Sequence, residues 1–115
     1  MTIDSYRQHC LSKLGVTEGF PFDGEILVHK VANKMFALTN VIFFDRINVK
    51  CDPTKALLLR ERYDGIVPAW HMNKKHWNSI LLNGGFTDQQ IFQWIDHSYA
   101  LVVAKLPKKI QASLA

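Results

Sequence analysis

The residues best suited to chemistry lie close together, between Trp70 and Trp77. Two tryptophans, two histidines and two lysines fall within these eight residues, and apolar runs precede and follow them. A polar segment between two apolar runs is typical of a tight turn that joins two strands, and we expect this turn near residues 72–75. Lysines at such a turn could bind phosphate or another anion. The same residues also fit a surface hairpin with solvated lysines, anchored in the core by the two tryptophans.

Other chemical motifs are weak or absent in the sequence. It contains no glycine-rich phosphate loop, GxSxG motif or HExxH motif, which would indicate nucleotide, hydrolase or metalloprotease sites. His71 and His76 could approach each other across the turn, but a zinc site usually needs three or four protein ligands. His97, Ser98 and Tyr99 are neighbours on a predicted helix, where adjacent side chains point in different directions. The sequence therefore predicts no enzyme activity, no cofactor and no metal site.

The size and composition are typical of a single globular domain, residues 1–115. With 48% hydrophobic and 21% charged residues, the chain can bury an ordinary core without disulfides or metal. Cys10 and Cys51 form no CxxC pair, so we expect two free thiols in a reducing compartment. The polar N-terminus argues against a signal peptide, and no apolar run is long enough to span a bilayer. We therefore expect a cytoplasmic monomer that does not enter a membrane.

The positive charge is unevenly distributed along the chain. The formal net charge is +4 at pH 7. Residues 1–64 contain nine Lys or Arg and eight Asp or Glu, whereas residues 65–115 contain five and two. An excess of positive charge in one half of a chain favours an anionic partner.

Three segments have the apolar periodicity and the capping residues of helices. They cover about residues 2–14, 53–63 and 87–105. Asp52 ahead of Pro53 is a typical helix start, and Thr87 with Gln90 forms a capping box. Three basic residues of the second helix are expected to point largely outward: Lys55, Arg60 and Arg62.

Five segments have the features of strands. They cover residues 26–31, 34–39, 47–51 and a strand pair within residues 66–82. Ala32-Asn33 fits a two-residue hairpin turn, since Asn tolerates positive φ. The third segment alternates apolar and polar residues, which indicates an antiparallel sheet with one solvated face. Residues 16–24 are expected to form a loop. The order α-β-β-β-α-β-β-α predicts an α+β fold with three helices packed on one face of an antiparallel sheet of about five strands.

Several short segments carry a family resemblance. They are Phe20-Pro21-Phe22, Lys30-Val31, Lys34-Met35-Phe36-Ala37-Leu38, Val49-Lys50-Cys51-Asp52-Pro53, residues 68–77, Ser98-Tyr99-Ala100-Leu101-Val102 and Leu106-Pro107-Lys108. Taken in this order, they resemble the MmcQ/YjbR family of small bacterial proteins, from about Gly15 to Lys109. The resemblance implies a frataxin-like (CyaY-like) fold, which agrees with the order of elements above.

The resemblance also implies a function, the binding of double-stranded DNA through two protruding hairpins called a double wing. The matching hairpin residues in this chain are Lys30, Lys34, His71, Asn73, Lys74, Lys75 and His76. Such side chains would contact the phosphates of duplex DNA rather than read its bases. Trp77 is expected to anchor the second hairpin rather than to touch DNA.

Two alternatives to DNA binding follow from the sequence. The frataxin-like fold suggests iron binding, but a surface iron site needs several carboxylates and the first helix carries one, Asp4. A protein-interaction module without a nucleic-acid role could use the second hairpin and the Phe43-Phe44 pair, which could lie in the core or at an interface. The chain also departs from the family pattern at Trp70, where Tyr is frequent, and at Ala100, where an acidic residue is frequent.

Overall fold

The computed structural model describes residues 1–114, and Ala115 lies outside the described residues. The strands are β1 (Val16–Gly19), β2 (Ile26–Val31), β3 (Lys34–Asn40), β4 (Arg46–Lys50), β5 (Ile66–Pro68) and β6 (Trp77–Leu81). The helices are α1 (Ile3–Leu11), α2 (Pro53–Arg62), α3 (Asp88–Ala104) and α4 (Lys108–Ser113). The strands form one antiparallel sheet in the order β1-β2-β3-β4-β6-β5.

The predicted α+β class is confirmed, but the structure adds one strand and one helix to the predicted order. The added strand, β1, occupies the first part of residues 16–24, which we expected to form a loop. It pairs with β2 at the edge of the sheet, where Val16 lies opposite Val31. A four-residue edge strand is held mainly by its backbone hydrogen bonds. Its side-chain pattern is therefore a poor basis for predicting it. The added helix, α4, follows Pro107, where the sequence indicated only a tail.

The main core lies between the sheet and the helices on one of its faces. α3 crosses β3 and β4, α1 lies beside β1, and α2 lies beside β5. The largest side chains that are buried here are Tyr6, Phe36, Ile47, Ile80, Ile91 and Ile95. Ser98 joins α3 to the sheet, because its hydroxyl donates to the Phe36 carbonyl and accepts the Lys50 amide at 2.8 Å. The predicted helix-covered face is therefore present.

A bulge in β3 changes which residues face the helices. Ala37 pairs with His29 and Met35 pairs with Lys30, so Phe36 has no residue directly opposite it in β2. An extra residue of this kind reverses the in-and-out alternation along the strand. Phe36 and Ala37 therefore both pack in the main core, whereas Met35 packs on the opposite face.

The opposite face of the sheet is partly covered rather than fully solvated. Val28, Leu38, Ala69 and Trp77 form a second buried cluster there, with Met72 packed against it. Residues that follow β5 fold back over this face and supply part of the cluster. The predicted solvated face is therefore only partly exposed. Within residues 1–114, no helix is long and apolar enough to cross a membrane.

Candidate nucleic-acid interface

The strand register places both predicted hairpins at the same end of the sheet. Ala32-Asn33 joins β2 to β3, and residues 69–76 join β5 to β6. Only β4 lies between β3 and β6, and its last residue, Lys50, pairs with Trp77. Since neighbouring strands lie about 4.8 Å apart, the nearest strands of the two connections, β3 and β6, are separated by roughly 10 Å. The side chains of both hairpins can therefore meet one extended ligand.

The first hairpin has the predicted two-residue turn. Ala32 and Asn33 have φ angles of 47° and 66°, as expected for the turn type that matches the twist of antiparallel strands. Lys34 is exposed at the start of β3, and Lys30 is half-buried opposite Met35. The turn therefore holds Lys30 and Lys34 on either side of it.

The second connection is an eight-residue loop rather than the expected tight turn. The Asn73 carbonyl accepts the His76 and Trp77 amides at 3.1 and 2.9 Å, and the Asn73 side-chain oxygen accepts the Lys75 amide at 3.0 Å. Asn73 thus shapes the loop through these bonds. Four predicted site residues of the loop are exposed: His71, Asn73, Lys74 and Lys75. His76 is half-buried.

Arg60 fastens this loop to α2, a role that the sequence analysis missed. We expected Arg60 to point outward. Its Nε instead donates to Asn78 Oδ1 at 2.6 Å, and its guanidinium also donates to the carbonyls of Lys74 and Trp77. In the sequence, Arg60 lies near other basic residues of α2, which favoured an outward side chain. The fold brings the loop to the same side of α2, and the sequence pattern does not show this.

Six lysines gather at the end of the sheet that carries the two hairpins. They are Lys30, Lys34, Lys50, Lys74, Lys75 and Lys105, and we call this end the basic end. Within residues 1–114, none of the six forms an ion pair. Asp52, in the turn between β4 and α2, brings a carboxylate to this end of the sheet. That carboxylate caps α2 by accepting the Lys55 amide at 3.1 Å. Lys50 and Lys105 were absent from the predicted site, because nothing local in the sequence connects them to the hairpins.

Acidic residues gather at the opposite end of the sheet. They lie in the connections that precede β2, β4 and β5, and in the first turn of α3: Asp23, Glu25, Asp45, Asp64 and Asp88. The charge of the protein is therefore separated along the strand direction. Such a separation orients a charged partner toward one end of the molecule.

Trp70 and Trp77 have different surroundings. Trp77 is 8% exposed in the second cluster, whereas Trp70 is 70% exposed, so only one of the two anchors the loop. Trp70 lines a groove of about 330 Å³ together with Phe43, which is 69% exposed. Phe44 packs against Tyr6, with ring centroids 5.8 Å apart. The Phe43-Phe44 pair is thus divided between surface and core.

A separate group of titratable residues joins α1 to the sheet. The Glu18 carboxylate accepts hydrogen bonds from Arg7, with Nε at 3.1 Å, and from His29, with Nε2 at 3.0 Å. The Arg7 hydrogen bond lowers the pKa of Glu18, and burial lowers the pKa of His29 below its ordinary 6.5. In the described part of the chain, His29 Nδ1 is buried without a partner, which also disfavours protonation. This group stabilises the fold at a distance from the basic end.

A metal site is not assembled by these residues. Across residues 1–114, no three His, Cys, Asp or Glu side chains are grouped closely enough to hold a metal ion. His71 and His76 of the loop thus have no third ligand among the described residues.

Similar proteins and structures match nearly the whole chain. An uncharacterised Escherichia coli K12 protein, YjbR, is 32% identical over 110 residues, which cover 95% of this chain and 93% of that protein. Uncharacterised YbdF of Escherichia coli O157:H7 is 38% identical over 93 residues, which cover 80% of this chain and 76% of YbdF. A crystal structure of a Deinococcus radiodurans DUF419-domain protein has a TM-score of 0.92 at 34% identity, and the match covers 98% of this chain and 87% of that chain.

The match to a family is equally extensive. The profile of the YjbR family matches residues 11–101. A crystal structure from Pseudomonas syringae also shares the fold, with a TM-score of 0.74 and 27% identity over 88% of this chain and 98% of that chain. The frataxin-like comparison stays a prediction. The profile match and the identities above confirm the resemblance seen in the sequence, and the chain belongs to the YjbR family.

Proposed function

We propose that this protein binds the phosphate backbone of duplex DNA through the basic end of the sheet. The observation that carries the proposal is the gathering of six lysines, none in an ion pair within residues 1–114, around two connections. Unpaired ammonium groups gain most from an anion that reaches several of them at once. Duplex DNA supplies one negative charge per about 1.7 Å of helix axis.

The spacing of the two connections suits a duplex. The distance of roughly 10 Å between their nearest strands, β3 and β6, lies between the widths of the minor and major grooves of B-DNA, about 6 and 12 Å. Lys30 and Lys34 on one connection, and Lys74 and Lys75 on the other, would therefore contact phosphates across one groove. The acidic residues at the far end of the sheet would stay away from the duplex.

Sequence-specific recognition is not expected at this surface. Specific base contacts are made by Arg or Lys to guanine and by Asn or Gln to adenine, but Arg60 and the Asn73 side-chain oxygen are used inside the fold. Lysine acts as a point charge on phosphate. If four lysines each neutralise one phosphate, the logarithm of the binding constant should fall with the logarithm of salt concentration at a slope near −3.6.

Fluorescence anisotropy with labelled duplexes of unrelated sequence, between about 20 and 200 mM salt, tests the proposal. We expect dissociation constants in the range of about 10⁻⁶ to 10⁻⁴ M, with similar values for each duplex. The Lys74→Ala/Lys75→Ala variant should bind every duplex more weakly, and its salt slope should be smaller by about 2.

The matched control removes two positive charges from the opposite end of the molecule. Arg46→Ala/Arg62→Ala changes the net charge equally but lies beside the acidic residues, so its salt slope should equal that of the wild type. Wild-type affinity and slope in the Lys74→Ala/Lys75→Ala variant would show that the assigned surface is wrong.

A protein-interaction module is the second candidate function, and a specific observation favours it. Trp70 and Phe43, both mostly exposed, line one groove on the face of the sheet opposite the helices. Aromatic side chains are enriched in protein interfaces. If the wild-type protein binds no duplex even at about 20 mM salt, where phosphate contacts are strongest, this second function replaces the first.

A further inference from the structure

A pocket of about 310 Å³ opens at the basic end, between the start of β3, the end of β4 and the end of α3. Three lysines stand around it, Lys34, Lys50 and Lys105, one from each of these places. They are distant in the sequence, and the strand register and the packing of α3 bring them together. No acidic side chain lines this pocket within residues 1–114.

The ammonium groups of Lys34 and Lys105 are close enough to act on Lys50. Burial lowers the pKa of Lys50, and the charges of Lys105 and Lys34 lower it further. Like charges that share a site destabilise the charged form of each other. An anion bound between them would relieve this repulsion, and a dianion would relieve more of it than a monoanion.

The remainder of the pocket wall is apolar. Met35, Trp77 and Leu106 contribute to it, and Trp77 is the partner of Lys50 in the β4–β6 ladder. A mostly apolar wall with a few converging charged groups is typical of small-molecule sites, whose volumes begin near 300 Å³. The volume equals that of roughly ten molecules of liquid water, which fits a phosphate group on one small ring.

We propose that this pocket binds a small organic phosphomonoester. Lys34, Lys50 and Lys105 hold the phosphate dianion, and the organic part lies against Trp77 and Leu106. The pocket lies at the same basic end as the proposed DNA interface and shares Lys34 with it, but it does not include Lys74 or Lys75. Free phosphorylated small molecules are the source that the small volume of the pocket favours, and the terminal phosphate of a nucleic-acid strand is the other source of the same chemistry.

Titration of the full chain with phenyl phosphate, followed by ¹H–¹⁵N NMR, tests this site. We expect saturable shifts of the Trp77 indole N–H and of the amides near Lys34, Lys50 and Lys105. Phenol, which lacks the phosphate, should cause less than a tenth of these shifts at equal concentration. Equal shifts with phenol, or shifts that map elsewhere, would overturn the proposal.

Substitutions separate this site from the DNA interface. Lys105→Gln lies at the exposed end of α3 and should fold normally, and a lost charged hydrogen bond should weaken phenyl phosphate binding about tenfold. Lys50→Gln should act in the same direction. Lys74→Gln/Lys75→Gln, the matched control, should bind phenyl phosphate within twofold of the wild type while losing affinity for duplex DNA. Unchanged phenyl phosphate affinity in Lys105→Gln and Lys50→Gln would overturn the site even if DNA binding is confirmed.

A final arm distinguishes the two sources of phosphate. A short single strand with a 5′-phosphate is compared with the same strand without it. Tighter binding of phenyl phosphate than of the phosphorylated strand supports a free small molecule. A phosphate-dependent strand affinity well above that of phenyl phosphate would overturn the free-ligand assignment.

Discussion

Replacement of Arg60 by Ala should loosen the loop that carries Lys74 and Lys75. The Arg60 guanidinium links α2 to this loop and to the start of β6, since it donates to the Lys74 carbonyl, to the Trp77 carbonyl and to the Asn78 side chain. Removal of the side chain leaves these three acceptors without their donor. The loss should therefore appear both in global stability and in the local order of residues 73–77.

The size of the effect follows from the burial of the acceptors. Asn78 is 2% exposed, so water cannot readily replace Arg60 at its Oδ1, and a buried acceptor left unpaired costs about 1–3 kcal/mol. The Lys74 carbonyl lies at an exposed position where water can take over. We therefore expect the free energy of unfolding to fall by about 2 kcal/mol, a large part of the 5–15 kcal/mol typical of a domain.

Urea denaturation followed by circular dichroism measures this change, with hydrogen exchange of the His76 and Trp77 amides as the local readout. Arg62→Ala, at the end of the same helix, is the matched control and should change stability by less than about 0.5 kcal/mol. Arg60→Lys should recover only part of the loss, because an ammonium group cannot reproduce the guanidinium fork. Equal stability losses in Arg60→Ala and Arg62→Ala would refute the reasoning.

Two further predictions concern stability. Because the pKa of His29 is lowered in the folded state, the unfolded chain takes up this proton first, so the free energy of unfolding should fall below about pH 6.5. His29→Phe should flatten that decline between about pH 7 and 5, whereas the control His71→Asn, at an exposed position, should not. An unchanged decline in His29→Phe would contradict the assignment of this pH dependence to His29. Trp77→Ala should cost about 3–5 kcal/mol and Trp70→Ala less than about 0.5 kcal/mol. Equal costs in urea denaturation would contradict the different burial of the two tryptophans.

The binding proposals have complementary tests at the basic end. Lys74 and Lys75 stand outside the pocket, whereas Lys50 and Lys105 line it. A salt-dependent interaction with many phosphates would depend on the first pair, and binding of a single phosphate group would depend on the second. The two pairs of substitutions therefore test the two proposed activities separately, even though the lysines lie at one end of the sheet.

The sequence by itself determined the elements whose signals are local. The Thr87 hydroxyl accepts the Gln90 amide at 3.1 Å, and Asp52 accepts the Lys55 amide, so α3 and α2 begin where their capping residues predicted. Ile47 and Val49 are buried as their alternation with polar residues indicated. These features depend on residues only a few positions apart, and a periodic pattern is enough to reveal them.

Only the tertiary structure decided which charged residues lie close together. Strand order and register set the distances between segments that are remote in the chain, and side-chain periodicity carries little information about either. For this reason β1 and the internal role of Arg60 were missed. The same dependence on long-range pairing places Lys34, Lys50 and Lys105 around one pocket and both hairpins at one end of the sheet. The candidate sites of this YjbR-family protein are thus products of its fold, whereas α1, α2, α3 and most of its strands can be predicted from its sequence.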